Sequence, residues 1–164
     1  MPAYQVDLTT AALPDREFMR RALRLGARAA ARGEVPVGAL VVRGTEILGS
    51  ASNRVERAKD ATAHAELLAL RKAARRLDSW RLEGTTLYST LEPCPMCAGA
   101  ILLCRVGRVV YGTDDPKKGA FRSVYDVLGN QGGNHHPVVL PGCEGEPAGR
   151  ILRTFFKGLR SRTA

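Results

Sequence analysis

The chain has 164 residues, and its 45% hydrophobic and 25% charged residues argue against a disordered chain and fit a globular protein. Its formal net charge is +9, which suits a nucleic acid or another polyanion, although a solvated arginine-rich surface has the same charge. The first residues lack the basic and apolar regions of an export signal, and no apolar run is long enough to cross a bilayer. We therefore expect a single cytoplasmic domain over residues 1–164, with a flexible N-terminal segment over residues 1–13 and no membrane contact.

The first half of the chain predicts two helices and a pair of strands. Apolar residues at helical spacing predict a helix from Pro14 to a stop near Gly33. The valine-rich run 35–42 predicts a buried strand, and residues 47–51 can return as its antiparallel partner. After a polar loop, residues 63–77 predict a second amphipathic helix. The side chains predicted for its buried face are Leu67, Leu70, Ala74 and Leu77.

The second half predicts a strand, a helix and a further strand, followed by less regular sequence. Residues 85–90 and 108–112 predict strands and residues 95–104 the helix between them, so we expect parallel strands joined by a right-handed crossover. The other predicted elements are a short helix over 124–128, a fifth strand over 137–140 and a basic helix over 144–162. This order favours a mixed sheet with helices on both faces.

Two cysteines stand at the predicted start of the third helix. Cys94 precedes this helix and Cys97 lies in its first turn, so both sulfurs can reach one ion. The positive end of the helix dipole favours thiolates there. Such a pair is either half of a zinc site or a redox dithiol, but a redox pair usually belongs to a thioredoxin-like pattern that this chain lacks.

A third ligand is available at the start of the second helix, where His64 stands. Three protein ligands are typical of a catalytic zinc site that leaves its fourth position to water, whereas a structural site uses four. Cys104 and Cys143 are the remaining candidates for a fourth ligand. Cys104 lies two turns along the third helix and Cys143 falls in a loop, so we favour the catalytic interpretation. The ligand set suits zinc, and iron would also accept it.

Glu66 follows His64 by two residues. At a helix start, its carboxylate can lie beside the metal rather than on it, where it can take a proton from an activated water and pass it to a leaving group. The alternative is a first-turn glutamate that only complements the helix dipole.

The pattern His64-Ala65-Glu66 followed by Pro93-Cys94-Pro95-Met96-Cys97 is the signature of zinc-dependent deaminases. On this signature and on several blocks outside it, the chain resembles the cytidine/deoxycytidylate deaminase superfamily and, within it, the bacterial tRNA-specific adenosine deaminases. The resemblance extends over about residues 14–160. The blocks outside the signature include EVPVGA (34–39), NR (53–54), LALR (68–71), GRVVYG (107–112), KKGA (117–120), DVL (126–128) and NH (134–135).

The resemblance implies a cytidine-deaminase-like α/β fold, a three-layer α/β/α sandwich with a five-stranded mixed sheet. It also implies a homodimer that hydrolyses adenosine to inosine at the wobble position of a tRNA anticodon. In such a protein one Zn²⁺ per subunit would be bound by His64, Cys94 and Cys97, and Glu66 would shuttle the proton.

The resemblance further implies a set of substrate-binding residues. It assigns the base pocket to Val35, Pro36, Asn53 and Ala65, the flipped-out nucleotides to Asp115, and the anticodon loop to Lys117, Asn134 and His135. Taken alone, Asn53 and Asp115 are equally typical of turns, and His135 of a solvated surface.

The C-terminal helix has a basic face and an apolar face. The basic face comprises Arg150, Arg153, Lys157 and Arg160, and the apolar residues expected to be buried are Ile151, Leu152, Phe155, Phe156 and Leu159. The basic face either binds phosphates or is simply solvated. The resemblance favours tRNA contacts for Arg153 and Lys157.

Two other functions remain open. A superfamily member acting on a free base or nucleoside, such as guanine or cytosine, would need neither the +9 charge nor the basic helix. A zinc-stabilised RNA-binding module without activity would need neither Glu66 nor a vacant ligand position.

Overall fold

The computed structural model describes residues 11–129 and 134–163. Five strands are present: β1 (Gly38–Arg43), β2 (Glu46–Ser52), β3 (Thr86–Leu91), β4 (Arg108–Thr113) and β5 (Val138–Leu140). The helices are α1 (Leu13–Ala30), α2 (Val55–Ala58), α3 (Ala65–Leu77), α4 (Pro95–Leu103) and α5 (Gly145–Thr163). The predicted segment over residues 1–13 lies almost entirely outside the described residues.

The strands form one mixed sheet in the order β2-β1-β3-β4-β5. Strand β1 pairs antiparallel with β2 and β3, and the β2–β1 hairpin closes at Gly44, whose φ of +58° favours glycine. Strands β3, β4 and β5 run parallel, with α4 connecting β3 to β4. The predicted antiparallel hairpin and parallel pair are both confirmed.

Helices cover both faces of the sheet, because alternate strand residues point to opposite sides. Ala39, Val41 and Leu87 belong to the core beneath α3 and α4. Leu40 and Tyr88, one position along, belong to the core beneath α1. The result is the three-layer α/β/α sandwich that the resemblance implied.

Three details of the sequence prediction are wrong. Residues 124–128 form turns rather than a short helix, and α2 interrupts the predicted polar loop. Helix α3 buries Ala65, Glu66, Ala69, Leu70 and Ala73, whereas Leu67, Ala74 and Leu77 are only half-buried. Helix α3 lies so close to β2 that a side chain at Gly49 would collide with the α3 backbone. Because of this close approach, the helix buries the face that carries its small alanine side chains.

The apolar face of α5 is less buried than predicted. Ile151, Leu152 and Phe155 are half-buried, while Phe156 and Leu159 are 41% and 39% exposed. The sheet covers only the first turns of the helix, where Ala148 packs against Gly112 of β4. In the ranges 11–129 and 134–163, no helix combines the length and apolarity that crossing a bilayer requires.

A buried carboxylate ties α1 to the sheet. Asp15 accepts two hydrogen bonds from the Arg108 guanidinium, at 2.7 and 2.9 Å, and one from the Tyr88 hydroxyl at 2.7 Å. Burial raises the pKa of Asp15, but these hydrogen bonds and the charge of Arg108 outweigh it, so the pKa lies below its ordinary value. The sequence analysis did not identify this cluster.

Candidate metal centre

The sheet register brings several predicted residues to one edge. Gly38 at the start of β1 pairs with Ser52 at the end of β2, and the end of β3 lies beside the start of β1 on its other side. Pro36, Asn53 and Cys94 each lie one to three residues beyond these strand ends, and therefore at the same edge. Helices α3 and α4 also begin there, with His64 and Cys94 as their N-cap residues.

Three ligand atoms converge at this edge. His64 Nδ1 lies 3.6 Å from Cys94 Sγ and 3.5 Å from Cys97 Sγ, and all three atoms lie within 4.8 Å of one another. In the described part of the chain, no other group of three His, Cys, Asp or Glu residues has this arrangement. Cys104 and Cys143 stand apart from the group, so it offers three protein ligands rather than four.

These distances fit a tetrahedral zinc ion. Zinc binds an imidazole nitrogen at about 2.0–2.1 Å and a thiolate sulfur at about 2.3 Å, which places the nitrogen and the sulfur about 3.6 Å apart at the tetrahedral angle. The observed separations of 3.5 and 3.6 Å match this value. The three side chains therefore fit the metal that their chemistry predicts.

The electrostatics of the centre favour a thiolate. A hydrogen bond from the Cys97 thiol, aided by His64, lowers the pKa of Cys94 to about 4 despite burial. The same hydrogen bond and burial raise the pKa of Cys97. The hydrogen bond to Cys94 raises the pKa of His64. A cation bound here would meet at least one ligand that already carries negative charge.

Glu66 lies beside this centre and is only 3% exposed. Burial raises the pKa of its carboxyl, against the weaker opposing effects of its own backbone N–H and of His64. The carboxyl is also close enough to the Cys97 thiol to affect its pKa. The buried hydroxyl of Ser89 on β3 is close enough to lower the pKa of Glu66 slightly, although among the described residues its Oγ forms no hydrogen bond of ordinary geometry. A buried carboxyl whose pKa is raised in this way holds a proton more readily than an exposed one, as a general acid and base requires.

Glu92, which the sequence analysis missed, holds the loop that follows β4. Its carboxylate is 1% exposed and accepts hydrogen bonds from the backbone of Asp115 at 3.0 Å and of Arg122 at 2.9 Å. Further donors are the N–H groups of Phe121 and Ser123 and the Ser123 hydroxyl. Because Glu92 is two residues before Cys94, it fixes this loop next to the metal ligands.

Glu34, which the sequence analysis also missed, holds the chain around Asn53 on the other side of the metal centre. It is 1% exposed and accepts hydrogen bonds from Asn53 Nδ2 at 3.3 Å and from the backbone N–H groups of Glu56 and Arg57 at 3.1 and 2.8 Å. It thereby fixes Asn53 and the start of α2 against the turn that follows α1. Glu34 lies inside the quoted block EVPVGA, and Glu92 directly precedes Pro93 of the signature. An acidic residue next to an apolar strand was the available signal.

The remaining predicted site residues divide into two groups. Val35, Pro36 and Ala65 lie at the same edge as the metal ligands. Asp115 is also there, but its Oδ1 accepts the backbone N–H groups of Lys117 and Lys118, at 2.9 and 3.2 Å, as in an ordinary turn. The exposed side chain of Lys117 belongs to the same loop.

Asn134 and His135 lie elsewhere. His135 Nε2 is 2.7 Å from the carbonyl oxygen of Val106, beyond the C-terminal end of α4, whereas the metal ligands lie at the start of that helix. On α5, Arg153 is 3.6 Å from Glu146 and both Arg153 and Lys157 are exposed. Within one chain, the structure does not bring these four residues to the metal centre.

Comparisons with known proteins agree with this geometry. The family described as the cytidine and deoxycytidylate deaminase zinc-binding region matches residues 13–113. A tRNA-specific adenosine deaminase of Bacillus subtilis is 43% identical over 90% of this chain and 92% of its own length. One of Aquifex aeolicus is 46% identical over 88% of this chain and 95% of its own length.

Solved structures show the same similarity. A structure from a study of A-to-I editing by tRNA:A34 deaminases superimposes with a TM-score of 0.80 and 40% identity, covering 83% of this chain and 99% of that one. A guanine deaminase from Bacillus subtilis gives a TM-score of 0.58 and 38% identity, covering 60% and 63% of the two chains.

Proposed function

The chain belongs to the cytidine and deoxycytidylate deaminase family, and from this premise we infer that it is a zinc-dependent hydrolase that converts adenosine to inosine at the wobble position of a tRNA anticodon. The observation that carries the chemistry is the convergence of His64, Cys94 and Cys97 beside the buried Glu66. The adenosine in tRNA is inferred from the relatives, which are named for this substrate and align over most of their length.

The residues divide the chemistry between them. Zinc bound by such a ligand set lowers the pKa of a water molecule to about 7. Glu66 takes a proton as the water adds to C6 of adenine and returns it to the departing amino group, so that ammonia leaves. The low exposure of Glu66 keeps this proton transfer away from bulk solvent.

The pocket around these groups is assembled from both neighbouring loops. We assign the wall of the base pocket to the backbone at Val35 and Pro36, to Ala65 and to the Asn53 side chain, which Glu34 holds in place. Asp115 and Lys117, on the loop held by Glu92, would contact the nucleotides around the flipped-out base. A base in an anticodon loop is the natural substrate for such a pocket, because extruding it costs less than extruding a base from a duplex.

We also propose a homodimer in the cytoplasm. Exposed apolar side chains on and near α4 support the dimer, namely Met96, Leu103, Val124 and Tyr125. A second subunit would also provide a place for Asn134 and His135, which lie away from the metal ligands of their own chain. The cytoplasmic location follows from the proposed tRNA substrate. Light scattering that gives a dimer mass, and a monomer mass after Leu103→Asp, would support the assembly.

The basic face of α5 is the first candidate for further tRNA contact. Arg153 and Lys157 are exposed, although Glu146 partly neutralises Arg153. The double change Arg153→Ala, Lys157→Ala should weaken tRNA binding and reduce its salt dependence. An unchanged salt slope would remove α5 from the interface.

One experiment separates this function from its alternatives. The protein is incubated with an anticodon stem-loop that carries adenosine at the wobble position and, separately, with free guanine, cytosine and adenosine. We expect inosine in the stem-loop. Ammonia released only from free bases would favour a free-base deaminase, the candidate that the guanine deaminase match supports. Binding without conversion would indicate an RNA-binding module.

A further inference from the structure

Helix α1 and the turn after it carry an unusual concentration of positive charge. Six arginines occur between residues 16 and 32, five of them four positions apart: Arg16, Arg20, Arg24, Arg28 and Arg32, with Arg21 in addition. Like charges at this spacing destabilise a helix. Acidic partners are present for two of them, since Arg20 pairs with Glu144 at 3.2 Å and Arg21 with Glu17 at 3.0 Å.

In the second half of α1 and the turn after it, three arginines have no such partner among the described residues. Arg24, Arg28 and Arg32 are exposed, and in the described part of the chain none of them forms an ion pair. Among the described residues, no ion pair offsets their mutual repulsion, although the helix dipole favours Arg28 in the last turn. A bound polyanion would remove this repulsion.

These arginines lie next to the substrate pocket. Glu34 follows Arg32 by two residues, and its hydrogen bonds hold Asn53 and the backbone of Arg57. Arg54 and Arg57 are exposed and likewise form no ion pair among the described residues. We call the set Arg24, Arg28, Arg32, Arg54 and Arg57 the arginine band; it leads from the wall of the base pocket outward along α1.

The surface beside the band is concave. A cleft of about 180 Å³ lies between α1 and the edge strand β2, lined by Arg21, Arg24, Arg28, Ile47 and Ser50, among others. From the opposite side of the strand, Lys72 Nζ donates to the Ser50 carbonyl oxygen at 2.7 Å. Guanidinium groups around a groove are suited to phosphate, because their planar N–H donors match its oxygens in pairs.

We propose that the arginine band binds the sugar–phosphate backbone of tRNA outside the anticodon stem-loop, beyond the pocket that receives the wobble adenosine. This proposal rests on the proposed function and adds a second contact surface to it. The band would recognise phosphates without reading sequence, so it would position the tRNA rather than select its bases. Because no band residue touches the reacting base, the band should affect binding and leave the chemical step unchanged.

The test removes two charges from the band and, in a control, two from the far end of α3, where Arg76 pairs with the exposed Glu46 at 2.6 Å. Arg24→Gln, Arg28→Gln is compared with Arg75→Gln, Arg76→Gln, whose arginines are also exposed and helical but lie away from the pocket. Glutamine keeps helix propensity close to that of arginine. For each protein, kcat, KM and the dissociation constant are measured on full-length tRNA and on the anticodon stem-loop at several salt concentrations.

We expect the band variant to raise KM and the dissociation constant for full-length tRNA about tenfold, with kcat unchanged. The slope of log affinity against log salt should become shallower by about 2, or one per lost phosphate contact. On the stem-loop the band variant should change KM less than about threefold, and the control variant should change neither substrate by more than this.

Three results would overturn the proposal: equal effects of the band and control variants, an unchanged salt slope, or equal losses on stem-loop and full-length tRNA. Failure of the proposed function is distinguishable, because the unmutated protein would then convert no adenosine in the stem-loop. The dissociation constants for full-length tRNA still test the band in that case.

Discussion

Three regions around the metal centre each bury a glutamate, and they differ in how many backbone donors the carboxylate receives. Two of these regions are the loops that flank the centre, and the third is the helix start inside it. Glu34 and Glu92, in the flanking regions, accept several hydrogen bonds from backbone N–H groups of distant residues. In the described part of the chain, Glu66 receives none from the backbone of another residue. All three side chains are almost fully buried.

The difference explains why the same residue type performs different tasks. A carboxylate saturated by backbone donors is fixed in place and organises the loops that donate to it. A buried carboxyl with few donors has a raised pKa and can exchange a proton. Burial alone therefore does not separate the proposed proton shuttle from the other two glutamates, whereas the number of backbone donors does.

The largest effect should come from Glu66→Gln, which removes the exchangeable proton and keeps the shape of the side chain. We expect conversion of the stem-loop to fall by about 10³-fold. Single-turnover inosine formation measures the loss, and atomic absorption should still find one zinc per chain. Activity within tenfold of the unmutated protein would show that Glu66 is not the proton shuttle.

Glu92→Gln should give the next largest effect, since it points an amide NH₂ toward donors that need an acceptor. We expect the free energy of unfolding to fall by about 2–3 kcal/mol, and KM for the stem-loop to rise more than kcat falls. Chemical denaturation and steady-state kinetics measure both. Asp114→Asn is the control, because its exposed pair with Arg122 should contribute less than about 1 kcal/mol. Equal losses in the two variants would contradict the role of Glu92.

Glu34→Gln should be milder, because fewer donors lose their partner. We expect a loss of about 1–2 kcal/mol in unfolding free energy and a several-fold rise in KM as Asn53 loses its position. A double-mutant cycle with Asn53→Ala, read out in KM, checks the connection. If the two changes were additive, Glu34 would not act through Asn53.

Asp15→Asn should have the smallest effect on activity, because Asp15 lies under α1 and away from the pocket. We expect unchanged turnover per folded molecule and a loss of about 2 kcal/mol in stability at pH 7. The pKa of Asp15 is lowered in the fold, so its stabilisation is complete above the ordinary pKa of about 3.9 and disappears as the pH falls through the folded value. Unfolding free energies measured from pH 7 to pH 2 should therefore fall more steeply in this acid range for the unmutated protein than for the variant.

The sequence predicted that His64, Cys94 and Cys97 can reach one ion, and the structure brings their ligand atoms within 4.8 Å of one another, because helix-start rules and local spacing determine their positions. To place Cys94 and Cys97, it was enough to predict where α4 begins. To place His64, it was enough to predict where α3 begins. The roles of Glu34 and Glu92 depend on backbone N–H groups that lie 22 to 31 residues farther along the chain, and a local pattern does not indicate which groups these are. The prediction of the buried face of α3 was wrong for a similar reason, because that face depends on the close approach of Gly49 in β2.

The most direct test of the central claim is zinc K-edge X-ray absorption on the purified protein loaded with zinc. The account predicts two sulfur ligands at about 2.3 Å and one imidazole nitrogen at about 2.0–2.1 Å, with the fourth position left to an oxygen from solvent. A third sulfur, from Cys104 or Cys143, or the absence of any imidazole signal would contradict it.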